Sequence, residues 1–96
     1  MTSSINLAIS ARARTHFEDI LQYTLATWGT GQRDLYENTL YEAFERIRIF
    51  PDIGHPAAGQ PSNIREYHLE HHVIQYRRES SRVVILRIVS PRRRRT

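Results

Sequence analysis

The stretch that most constrains this chain is Val83–Val89, in which six of the seven residues are apolar and most are β-branched. A short run of this kind predicts a strand that is buried on both faces, because β-branched side chains are restricted in a helix. Arg87 is the exception. Its guanidinium keeps its charge, so a buried Arg87 needs partners. We expect the rest of the chain to cover this strand.

The composition indicates one small domain without cofactors. A chain of 96 residues buries about 60–65% of its unfolded surface, enough for one core. We expect a single domain over residues 1–90 and a flexible basic tail over residues 91–96. No cysteine occurs, which excludes disulfides and thiolate metal sites. Without a signal segment or an apolar run of about 20 residues, we expect a cytoplasmic protein that does not enter a membrane.

The charged residues narrow the possible chemistry. The net charge is +4, and all 14 basic residues are arginine. No side-chain amine is therefore available for Schiff-base or general-base catalysis, whereas arginine binds phosphate and carboxylate through two parallel hydrogen bonds. A basic surface of this kind suits a nucleic acid or an acidic protein partner.

Two amphipathic helices are predicted after a short strand. Ile5–Ile9 alternates apolar and polar residues, as in a half-buried strand, and Ser10 can cap the helix that follows. Gly29 ends that helix, and Thr30 is expected to cap a second one that runs to about Ile49. Because the connection is short, the two helices should form an antiparallel hairpin. The stripes expected to face the core are Ala13, Phe17, Ile20, Leu21, Leu25 and Trp28, then Tyr36, Leu40, Ala43, Phe44 and Ile47.

Three strands are predicted after a loop over Pro51–Ser62. Ile64–Leu69 and His72–Arg77 alternate with a period of two, and Val83–Val89 follows them. The order β-α-α-β-β-β predicts an α+β fold, with the helical hairpin on one face of a mainly antiparallel four-stranded sheet. Arg65 and Arg87 are expected on neighbouring strands. The sheet face that the helices leave open, expected to carry Arg65, Tyr67 and Leu69 or the opposite set, is a candidate groove for a partner.

This order of elements, with particular residues at particular places, resembles the ParE toxins of the RelE/ParE superfamily. The resemblance covers roughly Ile5–Val89. It is carried by Phe17, Ile20, Tyr23, Thr24, Trp28, Gly29, Gln32, Tyr36, Leu40 and Ile47 in the helices, by Phe50, Pro51, Gly54 and Pro56 in the loop, and by Ile64, Arg65, Tyr67, Ile74, Tyr76, Arg77 and Ile85–Ile88 in the strands.

The resemblance implies a toxin of a type II toxin–antitoxin system that poisons DNA gyrase and is not itself an enzyme. It also implies a hetero-oligomer with a ParD-type antitoxin that has a ribbon-helix-helix region. The complex is expected to bind operator DNA only through the antitoxin. Superfamily members that cleave messenger RNA, of the RelE type, carry lysines that have no counterpart here. Arg65 and Arg87 resemble two arginines of that set, but neither can readily act as a base.

Two alternatives stay open, a RelE-type ribonuclease and a basic nucleic-acid-binding module. Arg65 and Arg87 are either a paired anion site or structural residues that bond strand-end carbonyls and nearby carboxylates. His55 is either a base near these arginines or an ordinary loop residue. The cluster His68, His71 and His72 predicts no metal site, because adjacent residues of a strand point to opposite faces.

No catalytic residue is predicted, and the candidate residues fall into two sets. For gyrase inhibition they are Arg87, Pro91, Arg92, Arg93, Arg94 and Arg95. For antitoxin binding they are Tyr23, Trp28, Tyr36, Arg65, Tyr67, Leu69, Arg77 and Arg87.

Overall fold

The computed structural model describes residues 5–91, which form two helices and one five-stranded sheet. The elements, in chain order, are β1 (Asn6–Ile9), α1 (Ala11–Trp28), α2 (Thr30–Ile49), β2 (His55–Pro56), β3 (Ile64–His68), β4 (Val73–Arg78) and β5 (Arg82–Val89). The α+β class and the helical hairpin packed on one sheet face are confirmed. The predicted strand count of four was wrong: β2 lies inside the predicted loop and pairs with β3. The two residues of β2 are too few to show the alternation of apolar and polar residues by which a strand is predicted.

The sheet has the order β1-β5-β4-β3-β2, with β1 parallel to β5 and the other pairs antiparallel. The strand β5 is therefore internal, as its apolar sequence predicted, and Val83, Val84 and Ile85 are buried. The expectation that Arg65 and Arg87 lie on neighbouring strands was wrong. Their strands β3 and β5 flank β4, which separates them by about 10 Å of sheet.

Local signals determine where the helices begin and end. The Ser10 hydroxyl accepts a hydrogen bond from the Ala13 N–H, 3.0 Å away, and so caps α1. Gly29 ends α1 with a φ of +93°, a conformation that glycine adopts without strain. The prediction that Thr30 caps α2 was wrong. Thr30 is the first residue of α2, and Gly29 precedes it without any side-chain cap.

The core lies between the hairpin and one face of the sheet. The expectation that Leu25 and Trp28 face this core was wrong. Leu25 is 40% exposed and Trp28 is 68% exposed. No helix within residues 5–91 is long and apolar enough to cross a membrane. The buried cluster consists of Ala13, Ala43, Phe44, Ile47, Ile74, Tyr76, Val83, Ile85 and Ile88.

The loop after α2 is held against the sheet by a network around Tyr76, whose side chain is fully buried. The Tyr76 hydroxyl donates to the carbonyl of Pro51, 2.7 Å away, and accepts from the N–H of Gly54, 3.0 Å away. The Arg65 guanidinium donates to the carbonyls of Gly54 and Asp52 at 2.7–3.1 Å. Of the two interpretations of Arg65, the structural one therefore applies: its guanidinium bonds backbone carbonyls.

Candidate functional site

A groove with a volume of about 890 Å³ lies where α1 projects past the sheet. We call it the aromatic groove. Tyr23 and Trp28 are 66% and 68% exposed at its wall, which is unusual for side chains of this size. Three of the predicted antitoxin-binding residues, Tyr23, Trp28 and Tyr36, meet here. The lining residues are His16, Asp19, Ile20, Tyr23, Thr24, Trp28, Gln32, Tyr36, His71, His72, Ile88, Val89 and Ser90.

One end of the groove is closed by a hydrogen bond between α2 and the start of β4. The hydroxyl of Tyr36 lies 2.6 Å from Nδ1 of His72, and the two rings are 5.4 Å apart. Burial, together with the nearby charge of Glu70, raises the pKa of Tyr36 to about 12. Burial, and then the neighbouring His71, lowers the pKa of His72. The pair is therefore neutral near pH 7, and the tautomer of His72 sets which of the two groups donates the hydrogen bond.

The last part of β5, which pairs with the start of β4, also lines the groove. Here the Ile88 N–H donates to Nδ1 of His16, 3.1 Å away, instead of to a neighbouring strand. The strand β1 ends at Ile9, opposite Ile85, and Ser10 covers the next carbonyl by donating from its hydroxyl to Leu86. The role of His16 was not predicted, because nothing in the local sequence relates residue 16 to residue 88.

The sheet face turned away from the helices carries a polar row across three strands. Glu66 of β3 pairs with Gln75 of β4, and Gln75 pairs with Arg87 of β5. The His68 ring lies 3.5 Å from the Glu66 carboxylate and 5.5 Å from the His55 ring. The Nε atom of Arg87 is buried and has no hydrogen-bond partner within the described part of the chain.

The remaining antitoxin candidates do not lie in the aromatic groove. Tyr67 and Arg65 share a face with buried Ile74 and Tyr76, so the face turned away from the helices carries the opposite set, of which Ile64 and Glu66 are themselves buried. The Tyr67 hydroxyl accepts a weak bond from Arg46 of α2, 3.4 Å away. Leu69 is likewise half-buried against the core.

Arg77 and Arg87 are the candidates on the open face. Arg77 shares the carboxylate of Glu79 with Arg82, and each nitrogen–oxygen distance is 2.7 Å. These bonds lower the pKa of Glu79. Of the gyrase candidates, Arg87 and Pro91 are described, and Arg92, Arg93, Arg94 and Arg95 lie outside the described residues. No cluster of three metal-binding side chains occurs within residues 5–91.

The helical hairpin on a mixed sheet is a fold that the chain shares with solved toxin–antitoxin proteins. It is similar to a solved chain of the chromosomal ParDE system of P. aeruginosa, with a TM-score of 0.77, 15% identity, and 93% of this chain and 98% of that chain covered. It is also similar to a chain of the RelBE2 toxin–antitoxin complex of Mycobacterium tuberculosis, with a TM-score of 0.65 and 18% identity, and with 91% of this chain and 98% of that chain covered. A third similar structure is the conserved hypothetical protein HP0894 of Helicobacter pylori, with a TM-score of 0.56 and 17% identity, and with 92% of this chain and 96% of that chain covered.

The particular family follows from the sequence itself. The family model of the ParE toxin of the type II toxin–antitoxin system parDE matches residues 7–95. The chain therefore belongs to the ParE toxin family. No curated protein sequence matches it significantly.

Proposed function

We propose that this ParE-family toxin inhibits DNA gyrase by binding to it, and that an antitoxin of the ParD type neutralises the toxin by occupying the aromatic groove. The observation that carries the proposal is the family match over residues 7–95. The absence of lysine supports inhibition by binding, since arginine serves poorly as a proton acceptor. The toxin acts in the cytoplasm, where gyrase works.

The aromatic groove is the surface on which antitoxin binding is proposed. Large aromatic side chains that are exposed around a concave surface are typical centres of protein–protein interfaces. Tyr23 and Trp28 meet this description, and Ile20 and Ile88 provide apolar contacts between them and the sheet. Replacing Trp28 with alanine should weaken binding to a ParD-type antitoxin by about 10-fold or more. The Leu35→Ala variant is the matched control, because Leu35 is 62% exposed but lies outside the groove.

The proposed gyrase-binding segment is the arginine run that follows β5. Arg92–Arg95 places four charges in sequence next to Pro91 and close to Arg87. Purified toxin, incubated with gyrase, ATP and supercoiled plasmid and then treated with detergent and protease, should yield linear plasmid. A chain truncated after Ser90 should retain its helical circular dichroism and antitoxin binding but lose this activity. A truncated chain that cleaves plasmid through gyrase as well as the full chain would refute the role of the tail.

A ribonuclease is the second candidate, and the residue types in the polar row are the observation in its favour. His55 and His68 supply imidazoles that could move protons, and Arg87 could hold a phosphate. The strand of His68 lies about 10 Å of sheet from that of Arg87, and the strand of His55 lies about 14 Å from it. These spacings leave the three side chains poorly placed to act on one phosphodiester. Cleavage of messenger RNA in a translation extract, lost in the His68→Gln variant, would establish this function instead.

A further inference from the structure

Two histidine side chains fasten the helical hairpin to the same end of the sheet. From α1, Nδ1 of His16 accepts the hydrogen bond of the Ile88 N–H in β5, at 3.1 Å. From α2, the Tyr36 hydroxyl lies 2.6 Å from Nδ1 of His72, which immediately precedes β4. Ile88 lies opposite Ile74 at the start of β4, so both bonds reach the end of the sheet that lines the aromatic groove.

The bond to His16 exists because the pairing of strands is interrupted at this point. An extra residue, Leu86, forms a bulge in β5, and β1 ends at Ile9. The backbone N–H of Ile88 therefore meets a side chain of α1 where a neighbouring strand would otherwise lie. A histidine side chain differs from a strand in one respect that matters here, because it titrates near physiological pH.

The two fastening bonds respond differently to a proton. A backbone amide can only donate, so the bond of Ile88 exists only while Nδ1 of His16 carries no proton. A phenol can donate or accept, so the bond between Tyr36 and His72 is compatible with either tautomer of the imidazole and with its charged form. Of the two contacts, protonation therefore breaks the one that His16 makes.

A charged His16 has a new acceptor one turn further along its own helix. Asp19 follows it by three residues, and both side chains line the groove, so they lie on one face of α1. Released from Ile88, the imidazolium can pair with the Asp19 carboxylate. The end of β5 contributes Ile88, Val89 and Ser90 to the groove, and none of these side chains titrates. The titratable groups that line the groove with His16 are Asp19 and Tyr23 of α1, Tyr36 of α2, and His71 and His72 before β4.

We propose that His16 positions the end of β5 in the aromatic groove and acts as a proton switch. Neutral His16 holds Ile88 in place, and protonation moves the imidazole to Asp19 and frees the end of the strand. Because this end lines the groove, a groove with a charged His16 has lost one fixed wall, and a partner bound there binds more weakly as the pH falls. The effect on a partner rests on the antitoxin binding proposed above, whereas the switch belongs to the toxin alone.

The sign and size of the effect follow from the chemistry of imidazole. A free imidazole side chain is half protonated at about pH 6.5, and the bonded one has to stay neutral. The bond to Ile88 is therefore fully present above this pH and is lost as the pH falls. Between pH 7.5 and pH 5.5 the population of the released state relative to the bonded state should rise about 10-fold.

The test follows hydrogen exchange of the Ile88 amide by NMR in the full-length toxin. Its protection factor, which corrects for the intrinsic pH dependence of exchange, should fall about 10-fold between pH 7.5 and pH 5.5. The Arg78 N–H, bonded to the Asn63 carbonyl at 2.8 Å near the other end of β4, is the internal reference. Its acceptor does not titrate, so its protection should stay the same.

Two variants assign the titration to one histidine. In His16→Asn the side-chain oxygen can accept the bond of Ile88 but does not titrate, so the protection of Ile88 should no longer depend on pH. In His72→Asn the fall should persist, because His16 is intact. Unchanged protection of Ile88 in the wild-type chain overturns the switch, whether or not the variants fold. An equal fall in His16→Asn, or its loss in His72→Asn, also overturns it.

A second measurement separates the switch from the proposed function. A ParD-type antitoxin should bind the wild-type toxin up to about 10-fold more weakly at pH 5.5 than at pH 7.5, and the change should be smaller for His16→Asn. Equal changes for the two proteins would overturn the control of binding by His16. If the antitoxin binds at neither pH while the Ile88 amide responds as expected, the switch stands and the proposed antitoxin site falls.

Discussion

Replacing Tyr76 with phenylalanine tests whether one buried hydroxyl holds the loop that follows α2. The ring is fully buried, and burial raises the pKa of the phenol, so the hydroxyl keeps its proton and both donates and accepts. It bonds the Pro51 carbonyl at 2.7 Å and the Gly54 N–H at 3.0 Å. The substitution removes both hydrogen bonds and leaves the apolar packing of the ring intact.

The expected cost follows from these two bonds. A neutral hydrogen bond contributes a net of about 0.5–1.5 kcal/mol, so the two together contribute about 1–3 kcal/mol to the free energy of unfolding. For a domain of this size, each 1 kcal/mol lowers Tm by about 4–8 °C. A loss of about 2 kcal/mol would therefore lower Tm by roughly 8–16 °C.

The measurement is urea denaturation followed by circular dichroism, at several protein concentrations. The midpoint should fall and the slope should stay unchanged, because the surface exposed on unfolding is the same. Tyr41→Phe is the matched control. Tyr41 is 52% exposed, so its change should stay within about 0.5 kcal/mol. If Tyr76→Phe costs no more than Tyr41→Phe, the hydroxyl does not anchor the loop and the reasoning is refuted.

Three further predictions concern the same framework. Gly54→Ala should cost about 1–3 kcal/mol or more, because a Cβ atom would lie 2.5 Å from the backbone oxygen of Glu66; Gly31→Ala, where nothing lies within 4 Å, should cost nothing in the same urea experiment. Ser10→Ala should cost about 0.5–2 kcal/mol, since it removes the cap of α1, and Ser10→Asp should recover part of that loss in thermal unfolding. Since burial lowers the pKa of His72, the unfolded chain binds a proton at this residue more readily, and stability should fall as the pH drops below about 6.5. His72→Asn should reduce this fall between pH 7.5 and pH 5 and His71→Asn should not; equal curves for the two variants would contradict the assignment.

The sequence alone determined the elements and most of their faces. Apolar residues recur at the helical period in α2, and its predicted stripe is the one that the core covers, from half-buried Tyr36 to fully buried Ile47. Ser10 and Gly29 mark the two ends of α1 because capping depends on a few adjacent residues. The family was also predictable from the sequence.

The tertiary structure decided which strands are neighbours, which sheet face stays open, and where a helix leaves the core. Periodicity shows that a strand has two faces but not which one the helices cover, so the sequence left both faces open as the place of Arg65 and Tyr67. The exposure of Trp28 depends on which part of α1 other elements cover. The bond of the Ile88 N–H to a histidine side chain instead of a strand depends on a bulge and on the end of β1. These two features are about 80 residues apart in sequence, and only the packing of the folded chain brings them together.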